Sequence, residues 1–137
     1  MAVLMARDAA QLPNVVSIAE AQAGNGVTTH VADRGSSHKV GGTMIRVIAA
    51  AGATPTCTYL IEVSTDGSTW GAATYADAAT PTTDTTATFN TTVDSVLRKI
   101  IKHPTMWRYI RVTMSANTNV VNTVDVLFND EKSFLSS

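Results

Sequence analysis

The sequence predicts an all-β fold, an antiparallel β-sandwich of seven to eight short strands, and three observations carry that expectation. Threonine makes up roughly 15 % of the 137 residues, and its branched Cβ suits a pleated strand better than a helix interior. Several segments alternate apolar and polar side chains with period two, as strands with one buried face do. Clusters of Gly, Asn, Asp and Thr separate those segments at the short intervals typical of antiparallel connections. A chain of 137 residues fills one core rather than two. The expected organisation is a flexible N-terminal arm (residues 1 to 14), a single sandwich domain (15 to 128) and a flexible C-terminal tail (129 to 137).

Residues 1 to 14 show no sustained alternation and stop at Leu12-Pro13-Asn14, so they read as an arm followed by a turn. Residues 15 to 20 fit a strand, 23 to 26 a hairpin-like turn, and 27 to 31 the returning strand. A polar loop over 33 to 39 closes at Gly41-Gly42. Residues 43 to 50 are apolar at nearly every position, which predicts a central strand covered on both faces. After a turn over 52 to 55, residues 58 to 64 alternate, with Tyr59, Ile61 and Val63 towards the core. Thr65-Asp66-Gly67-Ser68-Thr69-Trp70 supplies the strongest turn signal, because glycine takes the positive φ that a tight hairpin demands. The stretch from 71 to 92 is mostly loop, with a strand at 86 to 90. Residues 96 to 102 fit a helical turn and an edge strand equally well. In 107 to 114, Ile110, Val112 and Met114 point inward and Arg111 outward. Asn117-Thr118-Asn119 then turns the chain into a last hairpin strand, 120 to 128.

Hydrophobic residues make up 45 % of the chain, while charged residues are only 15 %, against roughly 25 % in an average soluble domain. Ten Lys and Arg against eleven Asp and Glu leave a formal net charge of -1, too little for a field that gathers phosphate backbones, so nucleic acid is not an expected partner. The apolar start at residues 1 to 6 is cut off by Arg7 and Asp8, short of the ~7 to 15 apolar residues of a signal peptide. No run approaches the ~18 of a membrane span, so no membrane partner and no cleaved export signal are expected. Cys57 is the single cysteine, which excludes an internal disulfide and a multi-cysteine metal site.

The residues offer little chemistry. No nucleophile signature surrounds any Ser, Thr or Cys57. His30 and His38 flank Asp33 with a spacing that matches no metal-ligand grammar, and His103 beside Pro104 stands alone. Asp66 begins like a calcium loop but lacks the alternating ligands and closing glutamate. Glu20, Glu62, Asp77 and Asp84 are the carboxylates from which a hydrolytic pair would have to come. We therefore expect no catalytic residues, no metal and no cofactor. One basic concentration, Arg98, Lys99, Lys102, Arg108 and Arg111, is interleaved with Trp107 and Tyr109. It fits an exposed face whose arginine stems cover aromatic rings, stacking on nucleic acid, or docking on an acidic protein surface, and docking is preferred over nucleic acid because Arg, Trp and Tyr are enriched at binding hot spots. Exposed Trp70, Tyr75, Trp107 and Tyr109 are the candidates for a carbohydrate platform.

Two stretches, Tyr59-Leu60-Ile61-Glu62-Val63-Ser64-Thr65-Asp66-Gly67-Ser68-Thr69-Trp70 and Arg108-Tyr109-Ile110-Arg111-Val112-Thr113, resemble the paired signature of small sandwich proteins in tailed-bacteriophage structural modules. Discoidin-like carbohydrate-binding domains show a similar pair. With the charge-poor composition, the chain most resembles the jelly-roll capsid cement, or decoration, proteins of short-tailed phages. That resemblance implies a jelly roll, a non-enzymatic virion structural protein made in the host cytoplasm, homodimers or homotrimers on the capsid exterior, and bridging of major capsid protein subunits. The alternatives are a carbohydrate-binding module and a tail or baseplate accessory module. On the docking reading, the partner-binding residues are Arg98, Lys102, Trp107, Arg108, Tyr109 and Arg111, with Leu4, Met5, Phe134 and Leu135 as apolar anchors in the two ends, which are expected to order on assembly.

Overall fold

A computed structural model describes residues 14 to 27, 31 to 33, 42 to 103 and 107 to 128. Among the described residues there is no helix, and ten strand segments form one antiparallel sheet. They are β1 (Asn14–Gln22), β2 (Gly26–Val27), β3 (Ala32–Asp33), β4 (Thr43–Ser64), β5 (Gly71–Ala72), β6 (Tyr75–Asp77), β7 (Asp84–Thr85), β8 (Phe89–Thr91), β9 (Ser95–Ile101) and β10 (Tyr109–Phe128). The sequence expects seven to eight strands; the difference lies in short edge segments and in two long strands that each merge two expected ones. Of residues 96 to 102, ambiguous by pattern between a helical turn and an edge strand, 96 to 101 fall on β9, a strand flanked by β4 and β6 rather than an edge.

The sheet is built on β4, 22 residues long, and β10, 20 residues long, which pair from Tyr109↔Ser64 to Phe128↔Thr43. The expected turns at 52 to 55 and 117 to 119 do not reverse the chain, and no hairpin separates 107 to 114 from 120 to 128. They are bends set opposite one another, where the register shifts between Ser115, Thr118 and Val120. Positive φ at Thr54, Ala116 and Asn119 supplies the bend. Turn-forming residues here kink a strand that stays paired on both sides, because Asn119 Nδ2 donates to Ala53 O at 2.7 Å and Thr56 Oγ1 to Ala116 O at 3.1 Å.

The neighbouring strands bend on the same line. β1 pairs with the C-terminal half of β10, whereas β2 and β3 pair with its N-terminal half, all three antiparallel to it. Residues 23 to 25 therefore carry the chain onward along β10, and among the described residues no hairpin returns the chain along β1; residues 28 to 30 of the expected returning strand at 27 to 31 lie outside them. Asn117 holds this crossing: its Nδ2 donates to Ala23 O at 3.1 Å and Gly24 O at 3.2 Å, and its backbone N–H to Asn25 Oδ1 at 2.7 Å. On the far side, β8 pairs with the second half of β4 and β9 with the first. Asp94 lies at their crossing and accepts a 2.6 Å bond from the Ala51 N–H.

The result is one sheet bent into two leaves. The first holds β1, β9 and the paired halves of β4 (43 to 51) and β10 (120 to 128); the second holds β2, β3, β5, β8 and the other halves. Residues 71 to 78 stitch the leaves together. β5 pairs with β4 and β6 with β9, and the Ala73 N–H donates to Ile61 O while the Lys102 N–H donates to Thr74 O, at 2.9 and 2.8 Å.

The core lies on the inner face of this bent sheet. Thr43, Ile45, Val47, Ala49, Cys57, Tyr59, Ile61 and Val63 of β4 are buried, as are Ile110, Val112, Met114, Val120, Asn122, Val124, Val126 and Phe128 of β10. The expected inward faces of 58 to 64, 107 to 114 and 120 to 128 are thus those that the structure buries. Residues 43 to 50 depart from expectation. Their strand is central, but only one face is covered, and Ile48 is 39 % exposed. An apolar residue at every position cannot by itself distinguish a covered face from an open one.

Candidate docking surface

The Asp-Gly hairpin fixes one end of the second leaf. Asp66 Oδ1 accepts from the Ser68 and Thr69 N–H groups, each at 2.8 Å, and from Ser64 Oγ at 2.9 Å. These three donors hold its carboxyl down at about 2. Gly67 adopts φ +78° with a Cβ position 3.4 Å from the Tyr109 ring. Asp66 is therefore a turn former, and among the described residues no group of three or more His, Cys, Asp or Glu side chains could hold a metal ion.

The basic residues do not form one patch. Arg98, Lys99 and Lys102 belong to β9 and its end, Arg108 and Arg111 to the start of β10, and these strands are not neighbours. Most carry their own counter-charge. Arg108 meets Asp33 through two bonds at 2.9 and 3.2 Å. Arg111 meets Glu62 at 3.2 Å and stacks 4.2 Å from the centroid of Trp70. Lys102 reaches Asp84 at 3.3 Å and Pro81 O at 3.0 Å. Lys99 is turned into the core, bonded to Asp77 at 2.8 Å and 4.7 Å above the Phe89 ring; its ammonium holds the Asp77 carboxyl below the usual carboxylate range. Arg98 alone of this set is exposed with no side-chain counter-charge among the described residues.

The other candidates are also dispersed. Glu62, Asp77 and Asp84 each hold a separate cation, so the carboxylates do not converge on a substrate position. Cys57 is buried, and its burial pushes the thiol up in pKa. Of the carbohydrate candidates, Tyr75 is buried and its hydroxyl donates to Ala87 O. Trp70 is covered on one face by Arg111, Trp107 packs against the core, and Tyr109 sits 5.0 Å below the Arg108 guanidinium. These rings form no common open platform. His103 is exposed at the end of β9. Leu4, Met5, His30, His38, Phe134 and Leu135, and the arm and tail that carry four of them, lie outside the described residues.

The feature that the sequence did not single out is the outer face of the first leaf. Register places Met44 beside Ile100 and Leu127, Arg46 beside Arg98 and Asp125, Ile48 beside Val96 and Thr123, and Ala50 beside Val121. Ile48, Val96 and Val121 are 39, 44 and 41 % exposed, a cluster of large apolar side chains on an open sheet. Arg46 and Asp125 neutralise each other at 2.6 Å in its middle. Towards the bend the face runs into a hollow of about 590 Å³ lined by Ala23, Asn119, Val121 and residues 50 to 53.

The outer face of this antiparallel all-β chain thus exposes a cluster of large apolar side chains, and most of the charged side chains described above are paired with one another. No protein-family model and no curated protein sequence matches the chain. Among solved structures, the SPBc2 prophage-derived protein YomS is similar, with a TM-score of 0.60 at 9 % sequence identity, over 85 % of this chain and 92 % of that one. The likeness is one of fold.

Proposed function

We propose that this chain is a structural protein of a tailed-bacteriophage virion, a capsid cement protein that binds the outside of the head and bridges major capsid protein subunits. The observation that carries the reading is the fold shared with a prophage-derived protein over nearly the whole of both chains. The charge-poor surface and the open apolar face support it. We read the bent sheet as a jelly-roll-like sandwich made by folding one sheet on itself, with the Tyr59 to Asn122 bond and the 71 to 78 stitch joining its leaves. The chain acts as a rigid, non-enzymatic, cofactor-free and oligomeric block. Many identical contacts on a repeating shell sum to a strong clamp even when each is weak. Arg98, Lys102, Trp107, Arg108, Tyr109 and Arg111, with Leu4, Met5, Phe134 and Leu135 of the ends, are the contact residues of this reading; nucleic acid and membranes are not its partners.

Cryo-electron microscopy of native particles, with and without the protein, tests it. Extra density over seams between capsomers supports the reading, and density confined to tail or baseplate transfers the protein to an accessory role. Deletion of residues 1 to 14 or of 129 to 137 should weaken shell binding; full binding by both truncated chains would count against the anchoring role of the ends.

A further inference from the structure

We propose that the outer face of the first leaf pairs with the same face of a second copy of this chain, about a two-fold axis running along the strands between β4 and β10. This deepens the oligomeric part of the reading above and gives the apolar face and Arg98 to the contact between copies, leaving the other contact residues to the shell; its test reads self-association alone, so failure here leaves shell binding untouched.

The first observation is the apolar face itself. Ile48 and Val96 are direct cross-strand neighbours, and with Val121 they expose apolar surface in one patch. Removing such a patch from water is favourable in proportion to its area.

The second observation is the placement of charge, which selects the occupant and the axis. Arg98 stands on β9, at one side of the four-strand face, exposed and without a side-chain counter-charge among the described residues. Glu20 stands on β1, at the opposite side. It follows Ala19, which is buried and pairs with Val124, so Glu20 faces outward, and it is exposed with no salt bridge among the described residues. Among the described residues, the face therefore has a cation without a salt bridge along one margin, an anion without one along the other, and a neutral Arg46 and Asp125 pair between them.

A two-fold axis along the strands exchanges β9 of one copy with β1 of the other and β4 with β10. Such an axis keeps each residue at its level along the strands, so Arg46 lies over the partner's Asp125. Arg98, level with the partner's Ser17, stands two residues, roughly 7 Å, along the strand from the partner's Glu20, a gap that two long side chains span, twice by symmetry. An axis across the strands would instead set β9 on β9 and β1 on β1, so that each charged margin would face its own like charge. Self-complementarity of this kind is what an isologous interface requires, and the charge pattern fixes register while the apolar centre supplies the attraction.

The test uses the full chain and two charge reversals at exposed positions, Arg98→Glu and Glu20→Arg. Sedimentation equilibrium should show a dimer for the unmodified chain and at least about tenfold weaker self-association for each variant alone, because each opposes like charges. An equimolar mixture of the two variants should recover association as a one-to-one heterodimer, identified by native mass spectrometry. That recovery also establishes that both variants are folded. A monomer throughout, up to about 100 µM, a trimer, single variants that dimerise as well as the unmodified chain, or a mixture that does not recover would each overturn the proposal.

Discussion

The Tyr59 hydroxyl donates a 2.5 Å hydrogen bond to Asn122 Oδ1, joining the second leaf to the first between two side chains with no solvent exposure. In register, Tyr59 pairs with Met114 and Asn122 with Ala49, so the bond crosses the space between the leaves rather than the ladder. Asn122 Nδ2 is turned to the Cys57 sulfur at 3.6 Å. Burying a carboxamide is costly unless its polar atoms are satisfied, and this arrangement satisfies both ends.

Removing both members should therefore cost less than the two single removals added together. Tyr59→Phe leaves Asn122 Oδ1 buried without its donor, a loss of about 1 to 3 kcal/mol. Tyr59→Phe combined with Asn122→Leu should cost less than the sum of the single changes, since no polar atom is then stranded. Urea unfolding of the four chains measures the coupling; strictly additive losses would show that the bond does not join the leaves energetically.

The bend line predicts a second effect. Asn117→Ala removes the carboxamide that binds Ala23 O, Gly24 O, Val120 O and the Val120 N–H, while leaving the β4 and β10 ladder intact. Global stability should fall by about 1 to 2 kcal/mol, and amide exchange should rise at residues 22 to 27 more than at 56 to 64 or 109 to 114. Uniform acceleration across the sheet would contradict the idea that Asn117 chiefly secures the edge strand.

Much of the fold was legible because period two survives the bends. Odd positions of 43 to 49 and 57 to 63 and even positions of 110 to 114 and 120 to 128 supply the inward faces, and the pattern identifies most of them. What it does not reveal is whether Gly52 to Pro55 and Asn117 to Asn119 reverse the chain or merely kink it. Both outcomes use residues that tolerate positive φ, and the choice is made by pairing partners far away in sequence. The candidate surface was less legible. Arg98 is visible as a charge, but Ile48 reads as core because apolar residues occupy both parities of its strand, and Val96 falls in a segment whose pattern fits a helical turn as well as a strand. Arg108 and Arg111 read as free cations because Asp33 and Glu62 are distant in sequence.

Stability should decline at alkaline pH. Burial raises the pKa of the Cys57 thiol and of the Tyr59 and Tyr75 phenols in the fold. Below their unfolded values, about 8.5 for a thiol and about 10 for a phenol, these groups are neutral in both states and contribute no pH dependence. As pH rises past those values the unfolded chain loses protons first, and stability is lost. Tyr59→Phe should reduce the slope above pH about 10, measured by unfolding at a series of pH values. The same burial predicts that Cys57 reacts with a thiol reagent only as fast as the chain opens; immediate labelling of the native protein would refute it.

Asp66 sets the opposite limb. Its three hydrogen-bond donors lower its carboxyl to about 2 in the fold, against about 3.9 in the unfolded chain. Its contribution is fully present above pH about 4 and is lost as pH falls towards 2, because the unfolded state takes up the proton first. Asp66→Ala removes the acceptor along with the charge, so it should destabilise the protein at neutral pH and flatten the decline between about pH 4 and 2. Asp66→Asn keeps an acceptor oxygen for the Ser68 and Thr69 N–H groups but has no proton to gain; it should retain more stability at neutral pH than Asp66→Ala and show the same flattened limb. Thermal unfolding between pH 2 and 7 separates the two effects, and an acid limb unchanged in both variants would assign it to other carboxylates, of which Asp77, bonded to Lys99, is the first to examine.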